Sequence, residues 1–194
     1  MNFVSVNARE VSKSWLLSLA RGIIFLLFAV MIVGWPAITV RTLGELFAFF
    51  IATDGVLALF TGWISRHGGL MAYGVVSLLL GVYALFPIPN LDLFYWAVIA
   101  VWAVVRGFFE INLGVIIHRT ENDWWLIKWS YILSGVVAMS FGLLLTHQPV
   151  TELLGFIWAL FAFGLISGCL WIVIALNSHD VRQRLQHRPL KSHH

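Results

Sequence analysis

Apolar residues run in six blocks along this chain, approximately 15 to 35, 43 to 65, 70 to 87, 93 to 117, 125 to 146 and 151 to 176, with short polar breaks between them. A helix needs roughly 20 residues to cross about 30 Å of hydrocarbon, so blocks of this length predict six transmembrane helices. The breaks leave no room for a soluble domain. A polar arm, 1–14, and a basic tail, 179–194, are too short to bury cores of their own. The fold class expected is an all-α integral membrane protein.

Glycine recurs within the blocks in a fixed register. Gly22, Gly74 and Gly135 lie in the first, third and fifth blocks, and seven residues on come Ala29, Gly81 and Gly142. Seven residues are about two turns along one helix face. The same offsets, 52 and then 61, align Gly55, Gly107 and Gly168 in the second, fourth and sixth blocks. Pro36 and Pro149 also align, and Pro87 and Pro89 bracket the equivalent position in the middle copy. Proline cannot continue a helix and sets a bend. The expected unit is therefore a helix, a proline-containing outer turn and a second helix. Three tandem hairpins, about 15–66, 67–119 and 124–178, would close into a bundle with pseudo-threefold symmetry about the membrane normal. Small residues at aligned positions predict close helix contacts, since apolar burial gives little drive between helices in lipid. Gly44, Ala48 and Ala52 form such a strip on the second helix, with Ala103 and Gly107 on the fourth and Gly164 and Gly168 on the sixth.

Composition agrees: 60% of the 194 residues are hydrophobic and 11% charged, with a mean hydropathy of +0.90. Soluble domains are about half apolar and a quarter charged. Basic residues near the block ends then set the orientation. Arg9, Lys13, Arg66, Arg119, Arg182, Arg184, Arg188 and Lys191 share one side, against Arg41 alone on the other, which predicts that both termini are cytoplasmic. This asymmetry accounts for a pI near 9.4 without nucleic-acid binding. The first block ends in "VGWPAIT" rather than a small-x-small cleavage site, so it is expected to stay as a helix. Cys169, the single cysteine, excludes an internal disulfide and is expected to be a small packing residue.

The stretches "WLLSLARGIIFLLFAVMIVGWPAITV" and "FAFFIATDGVLALFTGWISR", with echoes in "YGVVSLLLGVYALFP" and "YILSGVVAMSFGLLLTHQPVTELLGFIWALFAFGLISG", resemble the HdeD-type acid-resistance membrane proteins of bacteria. The likeness spans roughly residues 15 to 178. It rests on Arg21-Gly22, on Pro36 to Thr39 and on Asp54-Gly55 occurring together. The later copies depart from it, with Arg106 and Ser167 where the first has Asp54. The resemblance implies a multi-pass protein of the bacterial inner membrane linked to survival in acid, and it brings no catalytic residues.

Four charges lie well within the blocks, away from their ends: Arg21, Asp54, Arg106 and Glu110. An arginine or aspartate at a helix centre costs roughly 2.5 to 3.5 kcal/mol on insertion scales, so partners are expected. At 1.5 Å per residue, Asp54 and Arg106 lie about 18 Å deep, Glu110 about 12 Å and Arg21 about 9 Å. Arg106 and Glu110 are one turn apart on one helix. Arg106 should face the interior and be neutralised by Glu110, by Asp54 or by both. The cluster reads as a structural clamp or as a proton or ion path. At the outer rim, Glu45, Asp92, His147 and Glu152 read as solvated. The histidines are scattered and form no metal site, no cofactor motif is present, and no nucleotide loop or hydrolase motif suggests an enzyme. Two function classes remain: a non-enzymatic stress protein acting by membrane structure, association or sensing, and a small transporter or channel. The lipid bilayer is the expected partner, with a homo-oligomer or other membrane proteins as further partners. A path needs a cavity reaching Arg106, whereas an association protein needs a closed, glycine-packed bundle.

Overall fold

The computed structural model describes residues 15–35, 39–86, 91–120, 125–147 and 153–187. Pro36, Pro87, Pro89, Pro149, Trp124, Glu152, the N-terminal arm and the end of the tail lie outside the described residues. Six helices carry the chain: α1 (Trp15–Gly34), α2 (Val40–Ile64), α3 (Gly68–Ala84), α4 (Leu91–Thr120), α5 (Trp125–His147) and α6 (Leu153–His187). All but α3 are long and apolar enough to cross a membrane; α3, at 17 residues, is a shorter apolar helix of about 26 Å.

Local chemistry sets the ends. Thr39 caps α2, its hydroxyl accepting from the Thr42 N–H at 3.2 Å, which gives the Pro-x-x-Thr pattern a physical role at its last position. Arg66, in the left-handed region at φ 51°, ends α2. Its N–H reaches the Trp63 carbonyl, and the His67 N–H reaches that of Gly62. His67 then caps α3, Nδ1 accepting from the Leu70 N–H at 3.2 Å. α6 runs to His187, through the first part of the expected tail. Residues 181–187 hold no glycine or proline, and the helix stops two residues short of Pro189.

The His67 cap makes one pH prediction. Burial holds its imidazole below the ordinary value of about 6.5. The folded state thus favours the neutral ring, whose Nδ1 can accept. The cap's contribution is full above about pH 6.5 and falls away as the pH drops below it, because the unfolded chain then binds more protons. Unfolding in detergent should show a loss on the order of 1 kcal/mol from neutral to acidic pH that His67→Asn, a non-titrating cap, does not share.

Glycines of the register sit at close helix contacts. A Cβ on Gly55 would lie 2.9 Å from the Gly74 carbonyl oxygen, and one on Gly107 2.5 Å from that of Gly135. One on Gly22 would lie 3.1 Å from the Gly168 oxygen. Gly81 meets Ala48 and Ala52 of α2, and Gly142 meets Ala100 and Val104 of α4. Gly44, by contrast, faces the Tyr95 ring of α4.

The pairing differs from the expected hairpin units. The tightest pairs are α2 with α3, α4 with α5, and α1 with α6, so the second helix of each copy packs on the first helix of the next. The helices of the first and second expected hairpins, 15–66 and 67–119, touch lightly, and those of the third, 124–178, more fully. Both helices of every copy carry a glycine face, and each face meets the glycine face of a neighbouring copy. The sequence pattern located the contacts without identifying their partners.

Burial follows the repeat. The positions of Phe47, Phe50, Asp54, Ala58 and Thr61 on α2 are buried again at Ile99, Trp102, Arg106, Glu110 and Leu113 on α4, and at Leu160, Phe163, Ser167, Trp171 and Ile174 on α6. Phe50, Trp102 and Phe163 form an aromatic layer in the middle of the bundle, with Trp102 5.8 Å from Phe50 and 6.3 Å from Phe163. The outer surface is apolar, with Leu27, Val30, Phe49, Leu79 and Leu154 exposed, as lipid contact requires. Trp63, Trp125 and Trp35 are exposed near helix ends, in keeping with interfacial belts. Trp102 and Trp171 are core residues, whereas Trp129 and Trp158 face outward and Trp96 meets Phe156 edge-on. Cys169 is exposed rather than packed, because its neighbour Gly168 occupies the contact with α1.

Candidate functional site

The residue before each first-helix glycine is Arg21, Tyr73 or Ser134, and before each second-helix glycine Asp54, Arg106 or Ser167. All six are buried. A glycine at a helix contact carries its neighbour towards the interior, so the repeat itself delivers these side chains to one layer.

Around Asp54 the layer is well bonded. Arg21 Nε donates to Asp54 Oδ1 at 2.8 Å, and the Tyr73 hydroxyl donates to Oδ2 at 2.5 Å. One carboxylate thereby ties α1, α2 and α3. The Arg21 guanidinium carbon stands 4.4 Å from the Trp171 ring centroid and 5.8 Å from that of Tyr73, bringing α6 into the set through cation–π contact. Both members of this pair are 2% exposed.

The second pair lies on α4. Arg106 Nε donates to Glu110 Oε1 at 2.8 Å, and Trp171 Nε1 donates to the same oxygen at 3.2 Å. The Arg106 guanidinium carbon is 4.0 Å from the Phe25 ring centroid and 5.3 Å from that of Trp102. Trp102 Nε1 in turn donates to Ser77 Oγ at 3.2 Å. Arg106 has no exposed surface, yet both its Nη atoms lack a hydrogen-bond partner, as do Glu110 Oε2, Ser134 Oγ and Ser167 Oγ. Unsatisfied buried polar atoms of this kind are costly and few in native folds.

All four charges named from the sequence are thus interior. Arg106 is bonded to Glu110, and Asp54 to Arg21 rather than to Arg106. Counting residues inward sets Arg21 and Asp54 about 9 Å apart in height; the structure instead bonds them at 2.8 Å, because the glycine contacts bring the residues before Gly22 and Gly55 to one layer. Tyr73, Trp171, Trp102 and Phe25 complete the network. A signal existed for two of them: Tyr73 aligns with Arg21, and Trp171 with Glu110, under the glycine offsets. At the rim, Arg41 and Glu45 pair at 2.9 Å on an exposed face. Such a pair contributes little. The side chains of Asp92 and His147 lie outside the description. Among the described residues, no three histidine, cysteine, aspartate or glutamate side chains gather as metal ligands. The site holds two buried ion pairs joined to neighbouring helices by the Tyr73 and Trp171 donors.

Comparison with known proteins gives one family match. Residues 20–86 match the model of a short repeat of unknown function (DUF308), covering most of α1, all of α2 and all of α3. No curated protein and no solved structure matches. The chain is a multi-pass membrane protein, and its residues 20–86 are similar to that repeat.

Proposed function

We propose that this chain is a non-enzymatic bacterial inner-membrane protein of the acid-resistance or envelope-stress type, acting by membrane structure, association or sensing. The observation that carries this reading is the closed, glycine-packed bundle around Arg106, whose side chain is 0% exposed. The match over residues 20–86 supports it, because that repeat family includes HdeD-like proteins. Deleting the gene should lower survival in acid, and the wild-type chain should restore it. Unchanged survival on deletion would overturn the acid-stress assignment.

The arrangement proposed is six crossings about a pseudo-threefold axis along the membrane normal. Three glycine pairs at equivalent positions support the axis. α3 crosses because a three-residue turn joins it to α2 and its glycines run along that helix. Both termini are cytoplasmic on the eight-to-one count of basic residues. Reporters fused after Ser178 and after Leu91 should read cytoplasm and periplasm respectively; a periplasmic signal after Ser178 would contradict this.

A second reading, a small transporter or channel with Asp54, Arg106 and Glu110 lining a path, is favoured by the unpartnered Arg106 Nη atoms and Glu110 Oε2. Purified protein in vesicles would then pass protons, ions or a solute, and Arg106→Met with Glu110→Gln and Asp54→Asn would fold yet abolish flux.

A further inference from the structure

On the outer face of α4 an asparagine stands among apolar side chains. Asn112 is exposed, and Phe108 and Val115, about one turn to either side of it, are exposed as well. Its Nδ2 donates to the Phe108 carbonyl at 2.7 Å. A carboxamide carries two such hydrogens and an accepting oxygen, and its own helix can take only the first, because the backbone N–H groups of a helix interior are committed to carbonyls four residues back. Oδ1 and the second hydrogen therefore point outward, and among the described residues nothing else bonds them. The repeat gives the depth. Trp63, exposed near the end of α2, is the equivalent of Val115, so Asn112 lies one turn, about 4.5 Å, inside the level of that interfacial tryptophan.

We propose that α4 pairs with α4 of a second copy of this chain, across a twofold axis along the membrane normal, with Asn112 facing Asn112. Copies inserted in the same orientation present this helix in parallel. Half-buried Val105 and exposed Asn112 are seven residues apart, as are the exposed Val101, Phe108 and Val115, and the two sets interleave at intervals of four and three. That is the a and d spacing of a helix seam, running about 21 Å along α4. In a parallel pair a single asparagine at an a position fixes the register and the number of strands. The occupant follows from the chemistry of the amide. Each offers the hydrogen and the oxygen that the other lacks, whereas acyl chains at this depth offer neither. The repeat also selects α4 among three comparable faces. The equivalents of Asn112 are Phe60 on α2 and Val173 on α6, both exposed and apolar, so lipid alone suits those faces.

The test uses the full chain in lipid vesicles at high dilution in lipid. In a Cys169→Ser background, which leaves no other cysteine, Phe108→Cys should give a covalent dimer on oxidation. Val56→Cys, the equivalent exposed position on α2, should not. Energy transfer between differently labelled copies of the native chain should report a dimer, and Asn112→Leu should raise its Kd about 5- to 30-fold, the range of an interhelical hydrogen bond in lipid. Phe60→Leu should leave Kd unchanged. Energy transfer no greater than random mixing would overturn the pairing. An unchanged Kd in a folded Asn112→Leu variant, or cross-linking at Val56→Cys equal to that at Phe108→Cys, would overturn the α4 interface. The cross-linked pair keeps Asn112 in place, so it decides the matter even if Asn112→Leu misfolds. Pairing goes beyond the acid-stress reading, and acid survival of the deletion strain tests that reading separately, so either can fail alone.

Discussion

Arg106→Met should destabilise the protein by about 3 to 5 kcal/mol at neutral pH, the usual cost of removing one partner from a buried ion pair. The cost comes from the survivor. Glu110 would keep the Trp171 N–H on Oε1 but lose the Arg106 cation bonded to it, leaving a carboxylate stranded 4% exposed in the core. Arg106→Met with Glu110→Gln should therefore lose less than Arg106→Met alone, because no isolated charge remains. Adding Asp54→Asn should not help further, since Asp54 is held by Arg21 and Tyr73. Its rescuing effect belongs with Arg21→Met. Unfolding of the set in detergent measures all of this. A double variant less stable than Arg106→Met would refute the pair as drawn.

Gly107→Leu should fail to give a stable bundle, and Gly107→Ala should cost at least the 1 to 3 kcal/mol typical of overpacking. A Cβ there would lie 2.5 Å from the Gly135 carbonyl oxygen and 2.7 Å from the Met139 nitrogen. Both are backbone atoms of α5, so no rotamer change can yield and the helices must move apart. The control lies in the same chain. Gly155, on α6, has nothing within 4 Å of the equivalent Cβ, so Gly155→Ala should hold or slightly raise stability through helix propensity. Leu79→Ala and Leu133→Ala, on exposed lipid-facing positions, should likewise change little. Equal losses at Gly107 and Gly155 would show that spacing between helices is not what the register protects.

Pattern and offsets by themselves determined much of this protein. Block lengths set the number of helices and the apolar, membrane-spanning length of five of them, with α3 shorter, since hydrocarbon thickness is a fixed ruler. The repeat of Gly22, Gly74 and Gly135 against Gly55, Gly107 and Gly168 identified the contact faces, because only residues without a side chain let backbones approach so closely. The cost of charge in lipid was enough to place Arg21, Asp54, Arg106 and Glu110 in the interior.

Tertiary structure decided what one-dimensional spacing cannot carry, namely which face meets which. Three equivalent copies offer every glycine face more than one matching partner, and the offsets are the same whether a copy packs on itself or on its neighbour. Only the closed ring showed α2 on α3, α4 on α5 and α6 on α1. The ion pairs followed the same rule. A depth count ranks charges along the membrane normal, but the glycine contacts bring the residues preceding Gly22 and Gly55 to one layer, where Arg21 bonds Asp54 and Arg106 bonds Glu110. Tyr73 and Trp171 became part of the site because packing brought their polar ends to carboxylates on other helices. In the sequence only their alignment with Arg21 and Glu110 sets them apart, since an aromatic ring announces its bulk there and its hydrogen-bond partner is known only once the helices are side by side.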